Sequence, residues 1–169
     1  REPQAMVAVV GLARAAFEEI CRDCGAETAI INAEDHFVAG MPDGSAGLFS
    51  DRCRKAGAGR VVRLPVSVAS HTSRMEKAAA LFKEELQSAV FHQPSADVIS
   101  GVNGGKMFSR EEMISALSAQ MCRTIDWRAC MESAVSYGCG VFLETGPGGR
   151  LSRMFREAFP DAEVRSVSD

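Results

Sequence analysis

The sequence lacks the features that mark nucleic-acid-binding and membrane proteins. Its 19 Lys and Arg residues do not outnumber its 22 Asp and Glu residues, so the basic excess typical of nucleic-acid binding is missing. No apolar run approaches the roughly 20 residues that cross a bilayer. Residues 1–4 lack the basic-then-apolar order of a signal peptide. We therefore expect a soluble, cytoplasmic protein with no nucleic-acid partner and no membrane association.

Cysteine is too sparse to build a disulfide scaffold, because only six cysteines are spread over 169 residues. Cys21 and Cys24 have the CxxC spacing of metal and redox sites, but no second CxxC and no His pair follows at zinc-ligand spacing. Both residues also fall inside a helical pattern that ends at Gly25. We therefore expect reduced thiols and no bound metal.

The composition, with 46% hydrophobic and 24% charged residues, is typical of one globular domain. A chain of this length can bury a sizeable core. It begins without Met and enters an apolar strand pattern at residues 5–10. We therefore expect the sequence to be internal to a longer protein.

Strand and helix patterns alternate through the first third of the chain. Apolar, β-branched runs predict four strands, at residues 7–10, 28–31, 36–39 and 61–66. Helical spacing predicts two helices, at residues 12–24 and 45–56, and glycines predict a turn at residues 40–44. The resulting order within residues 5–66, β-α-β-β-α-β, is that of a ferredoxin-like subdomain.

The remaining two thirds predict a layered α/β arrangement. Helical spacing occurs at residues 73–90, 109–122, 126–137 and 151–159, and strand patterns occur at residues 98–100 and 141–144. Ser109 and Glu112 have the Ser-x-x-Glu spacing of a capping box, which predicts that Ser109 starts the second of these helices. The helix over residues 73–90 is predicted to bury one apolar side, made of Met75, Ala78, Ala79, Leu81, Phe82, Leu86 and Val90.

His71 is the histidine best placed for chemistry, because it lies between a strand pattern and the helix that follows it. Reacting groups are often displayed at strand ends of α/β sheets, where an imidazole can act as a general base near neutral pH. A partly buried histidine bonded to the backbone is the alternative, and position alone leaves both open. His36 and His92 have no partner at ligand spacing, so we expect surface or capping roles for them.

Two further motifs admit a functional and a structural interpretation. The glycine-rich stretch over residues 146–149 could bring N–H groups to an anion, but it matches no phosphate-binding motif and a tight turn is favoured. Glu144 before it could be an acid or base, or an acceptor that anchors the loop. Arg150, Arg153 and Arg156 form a basic stripe on the last helix, which could meet an acidic partner or be solvated.

One set of residues, taken in order and spacing, resembles the malonyl-CoA:acyl-carrier-protein transacylase family of acyltransferases. These residues are Leu64-Pro65-Val66-Ser67-x-x-Ser70-His71-x-x-x-Met75, Gln120, Trp127 and Glu144-x-Gly146-Pro147-Gly148-x-x-Leu151. The match runs along nearly the whole chain. Within the family, the stretch over residues 126–154 is most similar to the epsilon subunit of malonate decarboxylase.

The resemblance implies an α/β fold, in which the ferredoxin-like subdomain of residues 5–66 is inserted into an α/β-hydrolase-like core and residues 67–169 form the C-terminal part of that core. It implies that His71 is the catalytic histidine, which deprotonates a serine and later a thiol. It also implies that the main-chain carbonyl of Gln120 holds the other ring nitrogen of His71. Malonyl-CoA is then a substrate, acyl carrier protein the acceptor, and no cofactor is permanently bound.

Three features of the family are absent from the 169 residues. They are the Gly-x-Ser-x-Gly nucleophile elbow, an early glutamine of the oxyanion hole and an arginine that pairs with the malonyl carboxylate. By the resemblance, more than a hundred N-terminal residues carry them. We therefore expect a C-terminal part of an acyltransferase, whose N-terminal part supplies the serine. The alternative is a non-catalytic module that docks a carrier protein through its arginines.

Overall fold

The computed structural model of the protein describes residues 2–167, and it has a mixed α/β fold. Its strands are β1 (Gln4–Val10), β2 (Glu27–Ala33), β3 (His36–Pro42), β4 (Arg60–Arg63), β5 (Val98–Ile99), β6 (Lys106–Met107), β7 (Ile125–Asp126), β8 (Val141–Glu144) and β9 (Glu163–Ser166). Its α-helices are α1 (Arg14–Cys24), α2 (Ala46–Lys55), α3 (Glu76–Ser88), α4 (Arg110–Cys122), α5 (Trp127–Ser136) and α6 (Arg150–Ala158). The α/β class predicted from the sequence is confirmed.

The first part of the chain has the predicted element order β-α-β-β-α-β. Its strands lie in the order β4-β1-β3-β2 with antiparallel pairing, and β7 extends the sheet by pairing in parallel with β2. Since β7 comes from residues 125–126, the sheet also includes chain from outside residues 5–66. The side chain of Thr124 donates to the carbonyl of Thr28 at 2.8 Å and fixes this junction.

The helices α1 and α2 cover one face of this sheet with an aromatic core. The ring of Phe17 stacks on Phe37 at 4.7 Å between centroids and meets Phe49 edge-on at 6.1 Å. All three side chains are fully buried, and the inward residues of β1, among them Val7 and Val9, surround them. Burial of this kind stabilises the sheet by about 1.5–3 kcal/mol for each large side chain.

The later part of the chain forms smaller units among the described residues. Helix α3 packs against α4, β5 and β6 form an antiparallel pair, and β8 and β9 form a parallel pair connected through α6. The predicted capping box is present, since Ser109 accepts from the N–H of Glu112 at 3.1 Å and Glu112 accepts from the N–H of Ser109 at 3.0 Å. No helix in residues 2–167 is both long enough and apolar enough to span a membrane.

The predicted buried side of the helix at residues 73–90 is present only in part, since Met75, Ala78 and Leu86 are half-buried. Helix α3 runs only from Glu76 to Ser88, after a 3₁₀ turn over Ser73–Met75. Leu81 and Val90 are 65% and 82% exposed, and Ala79 is the buried member of the set. Helix α3 packs against α4, and the side that carries Leu81 stays exposed to solvent.

Two predicted boundaries also differ. Strand β4 ends at Arg63 rather than at residue 66, because Pro65 has no N–H to donate to a neighbouring strand. The glycine pattern predicts Gly40 in a turn, yet it lies inside β3 and pairs with Met6 of β1 and Glu27 of β2. Its neighbours on either side are buried, so it belongs to the centre of the sheet.

Substitution of two glycines by alanine tests the backbone of the first part of the chain. Gly25 ends α1 in the left-handed conformation at φ 62°, whereas Gly47 lies within α2, and no atom is within 4 Å of a Cβ at either site. We expect Gly25→Ala to lower the free energy of unfolding by about 1 kcal/mol and Gly47→Ala to raise it by up to about 1 kcal/mol. Urea unfolding followed by circular dichroism measures both, and shifts of the same sign would contradict this assignment.

Candidate active site

His71 lies in the segment between β4 and the 3₁₀ turn before α3, where its side chain is half-buried. Its φ is 63°, and within residues 2–167 no other non-glycine residue has a positive φ. A left-handed residue with a Cβ costs about 1–2 kcal/mol. This conformation persists only where the surrounding contacts hold it, which makes His71 a candidate for function.

The C-terminal end of α4 holds the backbone and the side chain of His71. The backbone N–H of His71 donates to the carbonyl of Met121 at 2.9 Å, and Nδ1–H donates to the carbonyl of Gln120. Because a carbonyl oxygen can only accept, Nδ1 carries a proton, and in the neutral imidazole Nε2 then has the lone pair. The imidazole is therefore held as the tautomer in which Nε2 can accept a proton.

Glu27, the first residue of β2, holds the chain directly after His71. Its carboxylate accepts from the backbone N–H of Ser73 at 2.9 Å and from the Ser73 hydroxyl at 2.8 Å. The guanidinium Nε of Arg74 lies 3.9 Å from the same carboxylate, and another nitrogen of Arg74 donates to the carbonyl of Gly25 at 3.2 Å. The first sheet and α4 thus fix the two sides of the His71 segment.

The carboxylate of Glu144 caps α6. Its carboxylate accepts from the backbone N–H of Ser152 at 2.8 Å and from that of Leu151 at 3.3 Å. Gly148 and Gly149 have φ values of 98° and 59°, which make the turn into α6 tight. A carboxylate already bound at the N-terminus of a helix repels a second anion, so the geometry favours the structural interpretation of residues 144–149.

The CxxC cysteines are buried thiols within α1. Burial raises the pKa of Cys21 to about 12, and burial also raises the pKa of Cys53, on the neighbouring helix α2, to about 11. Since the thiolate is the reactive form, these residues are poor nucleophiles at neutral pH. No group of three or more His, Cys, Asp or Glu side chains in residues 2–167 is arranged to hold a metal ion.

The other histidines and the arginine stripe lie away from His71. His36 is at the start of β3, where Nδ2 of Asn32 lies 3.3 Å from its Nε2 and burial lowers its pKa. His92 is exposed in the segment between α3 and β5. Arg150, Arg153 and Arg156 are exposed on α6, and Arg156 donates to the carbonyl of Val164 at 2.8 Å.

Sequence reasoning did not identify the residues that support His71. Glu27, Gly40 and Thr72 contact its segment, yet none belongs to a short motif around a reacting group. Gly40 did carry a usable signal, because a glycine inside a strand often marks the close approach of another backbone. The second glycine and the proline that follow, at positions 44 and 42, favour a turn at residues 40–44 and obscure that signal.

Comparison with known proteins finds related sequences. The chain is 26% identical to the malonyl CoA-acyl carrier protein transacylase of Haemophilus influenzae over 169 residues, which cover 98% of this chain and 54% of that protein. It is 28% identical to the enzyme of Escherichia coli K12 over 153 residues, 88% of this chain and 49% of that protein. The chain thus spans about half the length of these curated relatives. No family model matches it.

Solved structures give the same result. The crystal structure of malonyl-CoA:acyl carrier protein transacylase from Xanthomonas oryzae superimposes with a TM-score of 0.93 at 26% identity, over 99% of this chain and 55% of that one. An acyl carrier protein S-malonyltransferase from Vibrio cholerae gives a TM-score of 0.91 at 27% identity. In sequence and in fold, this chain resembles the C-terminal half of the malonyl CoA-acyl carrier protein transacylases, which confirms the family resemblance predicted from its motifs.

Proposed function

We propose that this chain supplies the general base of a cytoplasmic acyltransferase that moves a malonyl group from coenzyme A to acyl carrier protein through a seryl ester. The observation that carries the proposal is the donation of Nδ1–H of His71 to the carbonyl of Gln120, which leaves Nε2 as a base. His71 is also the position that the family resemblance assigns to the catalytic histidine. The relatives are named for this transfer.

The proposed reaction uses Nε2 of His71 twice. Nε2 first takes the proton of a serine hydroxyl as the serine oxygen attacks the thioester carbonyl, and the imidazolium then gives that proton to the departing thiolate of coenzyme A. In the second half, Nε2 takes the proton of the carrier thiol, whose sulfur attacks the seryl ester. The serine oxygen leaves and takes the proton back. These steps need no permanently bound cofactor.

The Gln120 carbonyl has a defined part in both halves. While the imidazole is neutral, the hydrogen bond to this carbonyl keeps the proton on Nδ1 and directs Nε2 toward the substrate side. When Nε2 is protonated, the carbonyl dipole stabilises the positive charge, as an acidic partner does in a serine hydrolase triad. The acceptor is a main-chain atom, so the side chain of Gln120 takes no part.

The serine would come from a polypeptide segment that corresponds to the N-terminal half of the relatives. The 169 residues contain no Gly-x-Ser-x-Gly pattern, and the relatives are about twice as long as the matched chain. In this proposal residues 5–66 form the ferredoxin-like subdomain and residues 67–169 form the C-terminal part of the core. Acyl carrier protein and the coenzyme A thioester would be the other partners.

An uncovered apolar surface in the second part of the chain supports this partner. Val141 and Leu143 of β8 are 57% and 60% exposed. An apolar hollow of about 280 Å³ lies beside them, lined by Trp127 and Phe142 among others. A polypeptide segment with apolar side chains would cover Val141 and Leu143 and fill the hollow.

Two finer points are part of the proposal. The similarity of residues 126–154 to the epsilon subunit of malonate decarboxylase favours that enzyme as the setting of the transfer. The competing function, a non-catalytic module that docks an acidic carrier protein, is favoured by the exposure of Arg150, Arg153 and Arg156 on α6. A docking function does not explain the left-handed conformation of His71 or the hydrogen bond that selects its tautomer. Acyl transfer is therefore the better-supported function.

His71→Ala in the complete protein tests the base directly. We expect the rate of acyl transfer to fall by about 100-fold or more, as the loss of a general base predicts. Gln120→Ala keeps the main-chain acceptor and should lower the rate by less than about 10-fold. The matched control is His92→Ala, which removes an exposed histidine. Transfer of labelled malonyl to carrier protein measures all three.

Retention of most of the activity by His71→Ala, with an unchanged melting temperature, would exclude His71 as the base. A rate loss in His92→Ala equal to that in His71→Ala would show that the effect is not specific to the site.

The purified 169-residue chain should by itself transfer no malonyl group, because it lacks a serine in a nucleophile elbow. Incubation with radiolabelled malonyl-CoA, followed by gel separation, shows whether a covalent acyl-enzyme forms. Label on the isolated chain, lost on treatment with hydroxylamine, would mean that one of its own residues is the nucleophile.

The exposed apolar surface of β8 should make the isolated chain self-associate. Replacement of Val141 and Leu143 by Thr keeps strand propensity and removes apolar area, so we expect less association at equal concentration. Leu48→Gln on α2 is the control, because Leu48 is 55% exposed away from β8. Sedimentation velocity measures the change, and an equal effect of Leu48→Gln would remove β8 from the explanation.

A further inference from the structure

The segment that carries His71 lies in close contact with the centre of the first sheet. We define residues 69–72 as the histidine loop. Gly40 and Val38 of β3 lie on the sheet face opposite α1 and α2, since side chains alternate along a strand. A Cβ at Gly40 would lie 2.7 Å from Cγ2 of Thr72 and 3.0 Å from Cβ of Ala69. The histidine loop therefore occupies the space that any other residue at position 40 would need.

Hydrogen bonds hold the loop in this contact. The hydroxyl of Thr72 donates to the carbonyl of Ala69 at 2.7 Å and closes the loop on itself. The backbone N–H of Ala69 donates to the side-chain oxygen of Gln4, in β1, at 2.9 Å. Ala69 is fully buried and Thr72 is 2% exposed, so neither can shift without opening a gap or a clash.

His71 lies between these two fixed residues and bridges to α4. Its left-handed backbone points Nδ1 at the Gln120 carbonyl, which belongs to a different element from the one that holds Ala69 and Thr72. A displacement of the histidine loop from β3 would move His71 relative to α4. The hydrogen bond that selects the tautomer would lengthen, because its two partners are fixed to different parts of the fold.

We propose that Gly40 and Thr72 are positioning residues for His71. The missing side chain at Gly40 and the methyl group of Thr72 determine the distance between the histidine loop and β3. That distance determines how well Nδ1–H is aligned with the Gln120 carbonyl. The consequence for catalysis rests on the proposed function of His71. The effect on the tautomer of His71 is independent of that proposed function.

Gly40→Ala tests this proposal, because the added Cβ must push Thr72 or Ala69 away. Thr72→Ser is the complementary change, since it removes Cγ2 and keeps the hydroxyl that donates to Ala69. In the double variant the tightest contact, with Thr72 Cγ2 at 2.7 Å, is removed and the contact with Ala69 Cβ at 3.0 Å remains, so the loop should return most of the way. The variants are made in the complete protein, and Gly44→Ala is the control, because no atom is within 4 Å of a Cβ there.

Two readouts separate positioning from general loss of stability. Nitrogen-15 NMR of the histidine rings reports which nitrogen of His71 carries the proton, and we expect one Nδ1–H tautomer in the parent and a mixture in Gly40→Ala. We expect kcat to fall by about 10-fold or more in Gly40→Ala, as a small misplacement of a reacting group predicts. The double variant should have a kcat at least about threefold higher than that of Gly40→Ala, and it should show the single Nδ1–H tautomer again.

Each outcome decides the proposal. An unchanged His71 tautomer in Gly40→Ala, or an unrecovered tautomer in the double variant at equal unfolding midpoint, would overturn it. The proposal would also be overturned if the Gly44→Ala control changed the His71 tautomer as much as Gly40→Ala does. A changed and recovered tautomer without any change in kcat would support the positioning role and count against His71 as the base, which keeps the two proposals separable.

Discussion

The hydrogen bond from Nδ1–H of His71 to the carbonyl of Gln120 is the interaction on which the proposed site depends. It requires a left-handed backbone at a residue with a Cβ, so the energetic cost has to be offset by contacts around it. Those contacts come from two directions, with α4 holding the ring and the backbone N–H and the first sheet holding the residues on either side. The site is therefore a junction between the two parts of the chain.

The two parts bury their apolar residues to different extents. In the first part the aromatic core of Phe17, Phe37 and Phe49 is complete, because α1 and α2 cover a face of a four-stranded antiparallel arrangement. In the second part β8 leaves the alternate apolar side chains Val141 and Leu143 exposed. A polypeptide segment of the kind proposed above would cover this surface.

The periodicity of the sequence predicts where helices and strands lie better than it predicts which of their faces are buried. The order β-α-β-β-α-β followed from apolar runs and glycine stops, which are local properties, and the structure contains it. The predicted buried side of α3 is found only in part, because periodicity shows that a helix has an apolar side but does not show whether anything covers it. Gly40 was placed in a turn because glycine usually interrupts a strand, whereas here a second backbone needs the space of its missing side chain.

The sequence by itself determined the α/β class, most element positions, the capping box at Ser109 and the family resemblance, because each depends on spacing along the chain. It also singled out His71 and, through the resemblance, Gln120. The tertiary structure alone decided that Nδ1 carries the proton, that Glu144 caps α6 and that Glu27, Gly40 and Thr72 support the histidine loop. These facts depend on contacts between residues up to 49 positions apart in the sequence. A local sequence pattern carries no information about such contacts.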